Sequence, residues 1–417
     1  MRLAAWTAVL LTGVATGAMT CAALVVRRNR LIVVGFAATA STSALLASCL
    51  AVWQESQRAD AVVAAGFISM GACIGGYALA TALLPAVTRP RVSEFALSAP
   101  EPASAELAVV LLSDAEPEQY DPRAIAAILL RHEEMGAPLP PELAKPLVYT
   151  AERSRYERTG GSPARSTVTS IARSLEAALS ADGTGAVVVP AFCDGGPSVS
   201  EALAGLVASG HRRVVIALLS VARTLPFVTA LATINSHEAT AAGVQVEIAD
   251  PLWSSQGLVE MIAARIREAV GAEVSHAGVC LVEPGQPTEL ERGGGQAAEQ
   301  DTYFAERLRS ELMDAGVTSS RIRRGWLQWE EPDVSEAARH LAAVGAQRIV
   351  FVPVSFPTET IQTLLDLRYA ADANSADTAT GSVVLGAWGN DAALVRGLAD
   401  AINTATQRMS EPGAGAS

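Results

Sequence analysis

Residues 348–371 read RIVFVPVSFPTETIQTLLDLRYAA, and their pattern decides the fold class. Residues 348–354 form a short apolar run rich in β-branched side chains, closed by a turn at Phe356 and Pro357. Such a run predicts a strand buried on both faces, as in a parallel sheet. The polar residues Thr358, Glu359, Thr360 and Gln362 follow, with Ile361, Leu364, Leu365 and Leu367 at helical spacing. A strand, a polar turn and a helix start in succession make the edge of an α/β unit, where such folds bind ligands.

The same alternation extends outward from this stretch. Further strands are predicted at 107–112, 186–189, 213–219, 244–248, 278–282 and 382–385. Helices are predicted at 166–179, 199–208, 258–269, 303–315, 334–343 and 392–404. Alternating strands and helices imply mostly parallel sheets flanked by helices. An internal repeat organises them. Pro197-Ser-Val-Ser-Glu-Ala202 returns as Pro332-Asp-Val-Ser-Glu-Ala337, an offset of 332 − 197 = 135. At that offset Gly210 meets Gly345, Arg213 meets Arg348, Ser220 meets Ser355 and Trp253 meets Trp388. Two similar α/β lobes are therefore expected, 106–272 and 273–406, with a flexible tail at 407–417. A cleft between such lobes is the default ligand site.

The N-terminal part is of another kind. Half of the 417 residues are hydrophobic, and the excess sits in the first 90 or so. Three uncharged apolar runs, 3–26, 31–53 and 61–84, are each long enough to cross a bilayer. Residues 1–91 are thus expected to form a membrane domain, followed by a linker at 92–105 rich in Pro, Ser, Ala and Glu. Gly71 and Gly75 give a small-xxx-small spacing that points to close helix packing. Arg27, Arg28 and Arg30 lie between the first two runs, and Arg89 and Arg91 follow the third. Positive residues stay inside, so the N-terminus is expected outside and the α/β part in the cytoplasm. A formal net charge of −12 argues against nucleic acid as a partner. The five cysteines (21, 49, 73, 193, 280) show no metal spacing and read as small core residues in a reducing compartment. The five histidines form no HxxxH pair, which speaks against a zinc site of the common kind.

Several segments resemble the ferrochelatase family. Tyr156-Glu-Arg-Thr-Gly-Gly-Ser-Pro163 is similar to its YxxIGGxSP segment, and Trp326-Leu-Gln328 sits where the family has WQS. Phe356-Pro-Thr-Glu-Thr-Ile-Gln-Thr-Leu-Leu-Asp-Leu367 resembles F-x-S-D-H-x-E-T-L-x-E-L. Val110-Leu-Leu-Ser-Asp-Ala-Glu-Pro117 resembles the opening LLxNxGxP. The resemblance implies a chelatase-like fold and insertion of Fe(II) into a porphyrin held between the lobes. It implies that Asp114, Arg223, Trp326, Trp329 and Thr360 stand around a porphyrin or haem ligand. Arg321, Arg323 and Arg324 form a basic run that could meet propionates.

The departures fall on the chemistry. The family's proton-handling histidine loop, S-A-H-S/G-L-P, aligns with Val282-Glu-Pro-Gly-Gln-Pro287, which puts Pro284 at the histidine. The working glutamate of the last signature is Gln362, and its histidine is Thr360. Neither proline nor an amide takes up a proton. Glu283 is a substitute base if burial raises its pKa. Glu359 and Asp366 hold the signature's two other acidic positions and offer a short carboxylate path for metal. Three functions stay open on the sequence: a membrane-anchored tetrapyrrole-handling protein with impaired chemistry, a divergent active ferrochelatase, and an interaction module that pairs with a membrane protein.

Overall fold

The computed structural model describes residues 2–56, 59–88, 104–134, 140–183, 185–234, 243–271, 276–286, 296–378 and 380–410. Most of the expected linker, Pro287, the glycines at 293–295 and the tail from 411 lie outside the described residues. The chain falls into two compact units, 1–91 with 119–160 and 92–118 with 161–417.

The first unit is helical. Helices α1 (Arg2–Val25), α2 (Arg28–Ser56) and α3 (Ala59–Thr88) contain stretches long and apolar enough to span a membrane, at Ala4–Val25, Val33–Gln54 and Val63–Leu84. Helices α1 and α3 run side by side in the same direction and touch backbone to backbone. A Cβ on Gly17 would fall 1.9 Å from the Cys73 carbonyl oxygen, and one on Gly76 would fall 2.1 Å from that of Val14. Gly71 and Gly75 have no such neighbour within 4 Å, so the packing face is not the one their spacing suggested. The reason is that these helices are apolar on all sides, and spacing alone then does not mark a face.

Residues 119–160, counted with the first lobe on the sequence, group with these helices as α4 (Pro122–Glu134) and α5 (Lys145–Thr159). They satisfy carbonyls that a helix end leaves open. Tyr120 Oη donates to Val25 O (2.7 Å), and Thr150 Oγ1 donates to Leu24 O (2.9 Å). Arg153 Nη1 donates to Ala23 O (3.1 Å) and Val26 O (2.9 Å).

The second unit holds two parallel four-stranded sheets. Strands β1 (Ser104–Ser113), β2 (Ala186–Phe192), β3 (His211–Leu218) and β4 (Gln245–Ile248) pair in the order β2-β1-β3-β4. Strands β5 (Ala277–Glu283), β6 (Ile322–Trp326), β7 (Arg348–Pro353) and β8 (Gly381–Val384) pair as β6-β5-β7-β8, the same topology. The predicted fold, two similar α/β lobes preceded by long apolar helices, is the observed one. Strand β6 is not among the strands predicted above. Its arginines interrupt the apolar pattern because β6 is an edge strand, where Arg323 is exposed while Ile322 and Gly325 are buried.

The repeated motif starts a helix twice. Before α7 (Val199–Ala208) the Ser198 side chain and Glu201 form a capping box. In the second copy of the motif, before β7, Asp333 Oδ1 accepts from Glu336 N (2.6 Å) at the start of α11 (Val334–Ala343), and α13 (Ala392–Ser410) follows β8. Such caps satisfy amides that would otherwise be orphaned.

The lobes exchange their last helices. Helix α9 (Gln256–Val270) ends the first lobe in sequence but packs against β7 and against α10 (Gln296–Asp314). Helix α13 ends the second lobe but packs against β3, β4 and α6 (Ala164–Ala181). Arg408 on α13 pairs with Glu247 (2.8 Å) and Asp250 (2.9 Å), and Arg265 on α9 donates to Gly386 O (2.8 Å) and Ala387 O (3.0 Å). A single core results, running from Ile171 and Val215 through Phe304 and Val350 to Leu394 and Ile402. The outer faces have their own smaller cores, under α7 and α8 (Leu225–Ala232) and under α11 and α12 (Arg368–Thr378).

Candidate functional site

Parallel strands bring their carboxyl-end loops to one edge of each sheet. Here those loops meet across the lobes. Glu116, in the loop after β1, accepts from the backbone amide of Ile361 at the start of the helix after β7. Gln300 on α10 accepts from the amide of Arg223, in the loop after β3 (3.0 Å). Arg165 on α6 braces the first lobe's loops. Its guanidinium donates to Ala115 O (3.3 Å), Gly196 O (3.0 Å) and Asp194 O, and lies over the Phe192 ring. Asp114 is exposed at the rim of the same loop. Glu116→Ala is expected to lower stability by about 1.5 kcal/mol, the scale of a hydrogen bond to a charged group. A denaturant midpoint equal to wild type would mean that the Ile361 amide is satisfied by water instead.

In the second lobe the loops after β5 and β6 are locked together. Leu327 N donates to Glu283 O (3.0 Å), and Gln286 N donates to Glu330 Oε1 (2.8 Å). Gly285 has a positive φ, and a Cβ there would fall 1.9 Å from Gln328 O, so only glycine fits. Trp329 is also left-handed (φ 66°), a strained conformation for a bulky residue. This holds Pro284 half-buried, directly after Glu283.

Glu283 is buried and gripped by Arg324, with Nε to Oε1 at 2.9 Å and Nη2 to Oε2 at 2.8 Å. Arg324 is thus spent on an internal carboxylate rather than left for a propionate. It also donates to Thr302 Oγ1 (3.2 Å) and stacks on the Trp326 ring, 5.0 Å from its centre. A second acid stands beside them. Asp301 on α10 receives a long hydrogen bond from Ser355 Oγ (3.4 Å). Burial, then the Glu283 charge, push its carboxyl up to about 8, against the opposing pull of Arg324. Burial also pushes Glu283 above the usual range, again against Arg324. Two carboxyls thus share one guanidinium, and burial pushes both toward the protonated form. The condition the sequence set for Glu283 as a base, burial, is met.

Asp301 lies outside the helix predicted at 303–315, since the observed helix starts at Gln296. The signal was present: Asp301 lies on the stripe of Phe304, Ala305 and Leu308, which face the core. A charged residue on a buried stripe calls for a partner.

The signature after β7 is arranged for shape. Thr360 and Thr363 cap each other's amides (2.9 and 3.3 Å). Both Glu359 oxygens accept bonds, from Thr363 Oγ1 (2.6 Å) and Ala387 N (3.0 Å), which ties the β7 loop to the β8 loop. Gln362 is half-buried and opens a π-helical turn, Gln362–Leu367, that also carries Asp366. Such turns recur at functional sites. Among the described residues no three of His, Cys, Asp and Glu converge into a metal-holding group.

A family model described as Ferrochelatase matches residues 147–406, more than half of the chain. A ferrochelatase of Gloeobacter violaceus is 26% identical over 282 residues, covering 63% of this chain and 86% of the relative. One from a Synechococcus species is 25% identical over 252 residues, covering 55% of this chain and 64% of the relative. The solved structure of SirB from Bacillus subtilis with Fe3+ matches at 12% identity and a TM-score of 0.46, over 73% of this chain and 98% of that one.

Proposed function

Because this chain belongs to the ferrochelatase family, we propose that it is a membrane-anchored member that binds and handles a porphyrin or haem, with metal insertion impaired. One observation carries this reading: Pro284 and Gln362 stand where the family resemblance puts its titratable histidine and glutamate. Insertion exchanges two pyrrole protons for one Fe(II), and neither residue can accept a proton. Glu359, at a third family position, has both oxygens engaged in holding loops together. The apolar helices support anchoring, and the arginines after the first and third of them support an N-terminus outside and the lobes in the cytoplasm.

A second reading, a divergent active chelatase, is favoured by Asp301. Burial and the neighbouring Glu283 push its carboxyl up to about 8, close to the pH at which a proton acceptor works. The full-length protein in detergent separates the readings. Porphyrin titrated by absorbance is expected to bind, and added Fe(II) or Zn(II) is expected to give little or no metalloporphyrin. Insertion that Asp301→Asn abolishes would establish the second reading instead. No spectral change on titration would leave an interaction module at the membrane. Gln362→Glu combined with Pro284→His is expected to raise insertion above wild type. A double variant that folds, binds porphyrin and stays inert would move the impairment to another part of the cleft.

A further inference from the structure

The helical first unit contains a cavity of about 620 Å³ that neither the chelatase-like lobes nor the proposed function uses. Beyond the Gly17 and Gly76 contact, Cys21 Sγ on α1 and Thr81 Oγ1 on α3 still lie 3.6 Å apart. The last turns of these two helices leave a space walled by small and aliphatic side chains, among them Ala22, Ala80 and Leu84. Its rim carries Arg27, Arg30 and Arg123 with a single acid, Asp121. Arg27 pairs with Asp121 at 2.7 Å. Among the described residues neither Arg30 nor Arg123 is paired with a carboxylate, so the rim keeps two uncompensated positive charges.

We propose that this cavity binds one anionic phospholipid, an acyl chain between α1 and α3 and the phosphodiester against Arg30 and Arg123. The cavity lies where the apolar stretches Ala4–Val25 and Val63–Leu84 both end, the depth at which a lipid headgroup meets its chains. Charge complementarity selects the anionic class, since arginine pairs with phosphate oxygens in a fixed fork. The walls select an acyl chain over a flat macrocycle, because no Trp, Tyr or Phe lines the cavity for a ring to stack on. The inference is independent of what the lobes bind.

Native mass spectrometry of the full-length protein in detergent tests it, with phosphatidylglycerol and phosphatidylcholine added in equal amounts. Wild type is expected to retain one phosphatidylglycerol at least tenfold better than phosphatidylcholine, a comparison that needs no variant. Arg30→Gln and Arg123→Gln are each expected to reduce that preference about fivefold, the effect of removing one basic residue at a membrane surface. Ala80→Phe, which fills the space, is expected to reduce retention of both lipids while leaving the rim intact. Equal retention of the two lipids by wild type would overturn the proposal, as would undiminished preference in the double arginine variant. So would stoichiometric displacement of the lipid by porphyrin, which would make the occupant a tetrapyrrole.

Discussion

Arg324→Leu is expected to destabilise the lobes by about 3–5 kcal/mol at pH 8, the cost of leaving a buried carboxylate without its partner. Glu283 is 4% exposed and receives both of its short bonds from Arg324. The same guanidinium opposes the rise of the Asp301 carboxyl, so its removal drives both acids toward the neutral form. This gives the effect a pH signature. Asp301 has a folded-state pKa of about 8 against an ordinary 3.8, so the folded protein holds a proton that the unfolded chain releases. Stability from this group is therefore full below about pH 4 and is lost as pH rises through 8. Wild type is expected to weaken between pH 5 and pH 9, and Asp301→Asn to flatten that slope. In Arg324→Leu the deficit shrinks as pH falls, because without the guanidinium both acids take up protons more readily. Glu283→Gln added to Arg324→Leu recovers most of the loss, since the pair is then removed together. Denaturant unfolding of the full-length protein across this pH range reads all four proteins. A loss below about 1 kcal/mol for Arg324→Leu at pH 8 is what a solvated surface pair would give, and would defeat this account.

Gly17→Leu is the second large effect. The added side chain would start 1.9 Å from a backbone oxygen of α3, which has no rotamer to give way. The helices must separate, and overpacking of this kind costs about 3 kcal/mol or more. Close backbone contact is also what holds apolar helices together where lipid tails are as apolar as the side chains. Gly71→Leu is the control: it meets nothing within 4 Å and is expected to change stability by less than about 0.5 kcal/mol. Thermal unfolding of the two variants in one detergent should differ plainly. Equal melting points would show that the Gly17 and Gly76 contact does not hold the unit together.

What the sequence made legible divides along physical lines. The buried strands announced themselves through runs of β-branched residues, and the repeat of PSVSEA as PDVSEA located two lobes with one topology. Edge strand β6 hid because half of it faces water and carries arginines, which erases the apolar run. The packing face of α1 and α3 hid because helices apolar on every side have no stripe to read. Glu283 was legible as a neighbour of Pro284. Its grip by Arg324 and its coupling to Asp301 were not, since these residues lie 41 and 18 positions away (324 − 283 and 301 − 283) and meet only in the folded lobe. Pro284 and Gln362 stand out in the sequence as departures from the family pattern, but only the fold brings Asp301 to the Glu283 that precedes Pro284.

The crossing of α9 and α13 sets the order in which the chain can be made. During synthesis the inner face of the sheet β2-β1-β3-β4 is complete once β4 has emerged, yet the helix that covers β3 and β4 ends at Ser410. Until then Val215 and its neighbours lack their final cover, and α9 waits for β7. Contacts of such sequence separation form late and slowly. The nascent first lobe therefore carries exposed apolar surface until α13 has emerged. The arrival of α13, rather than completion of either lobe, is the event that closes the core.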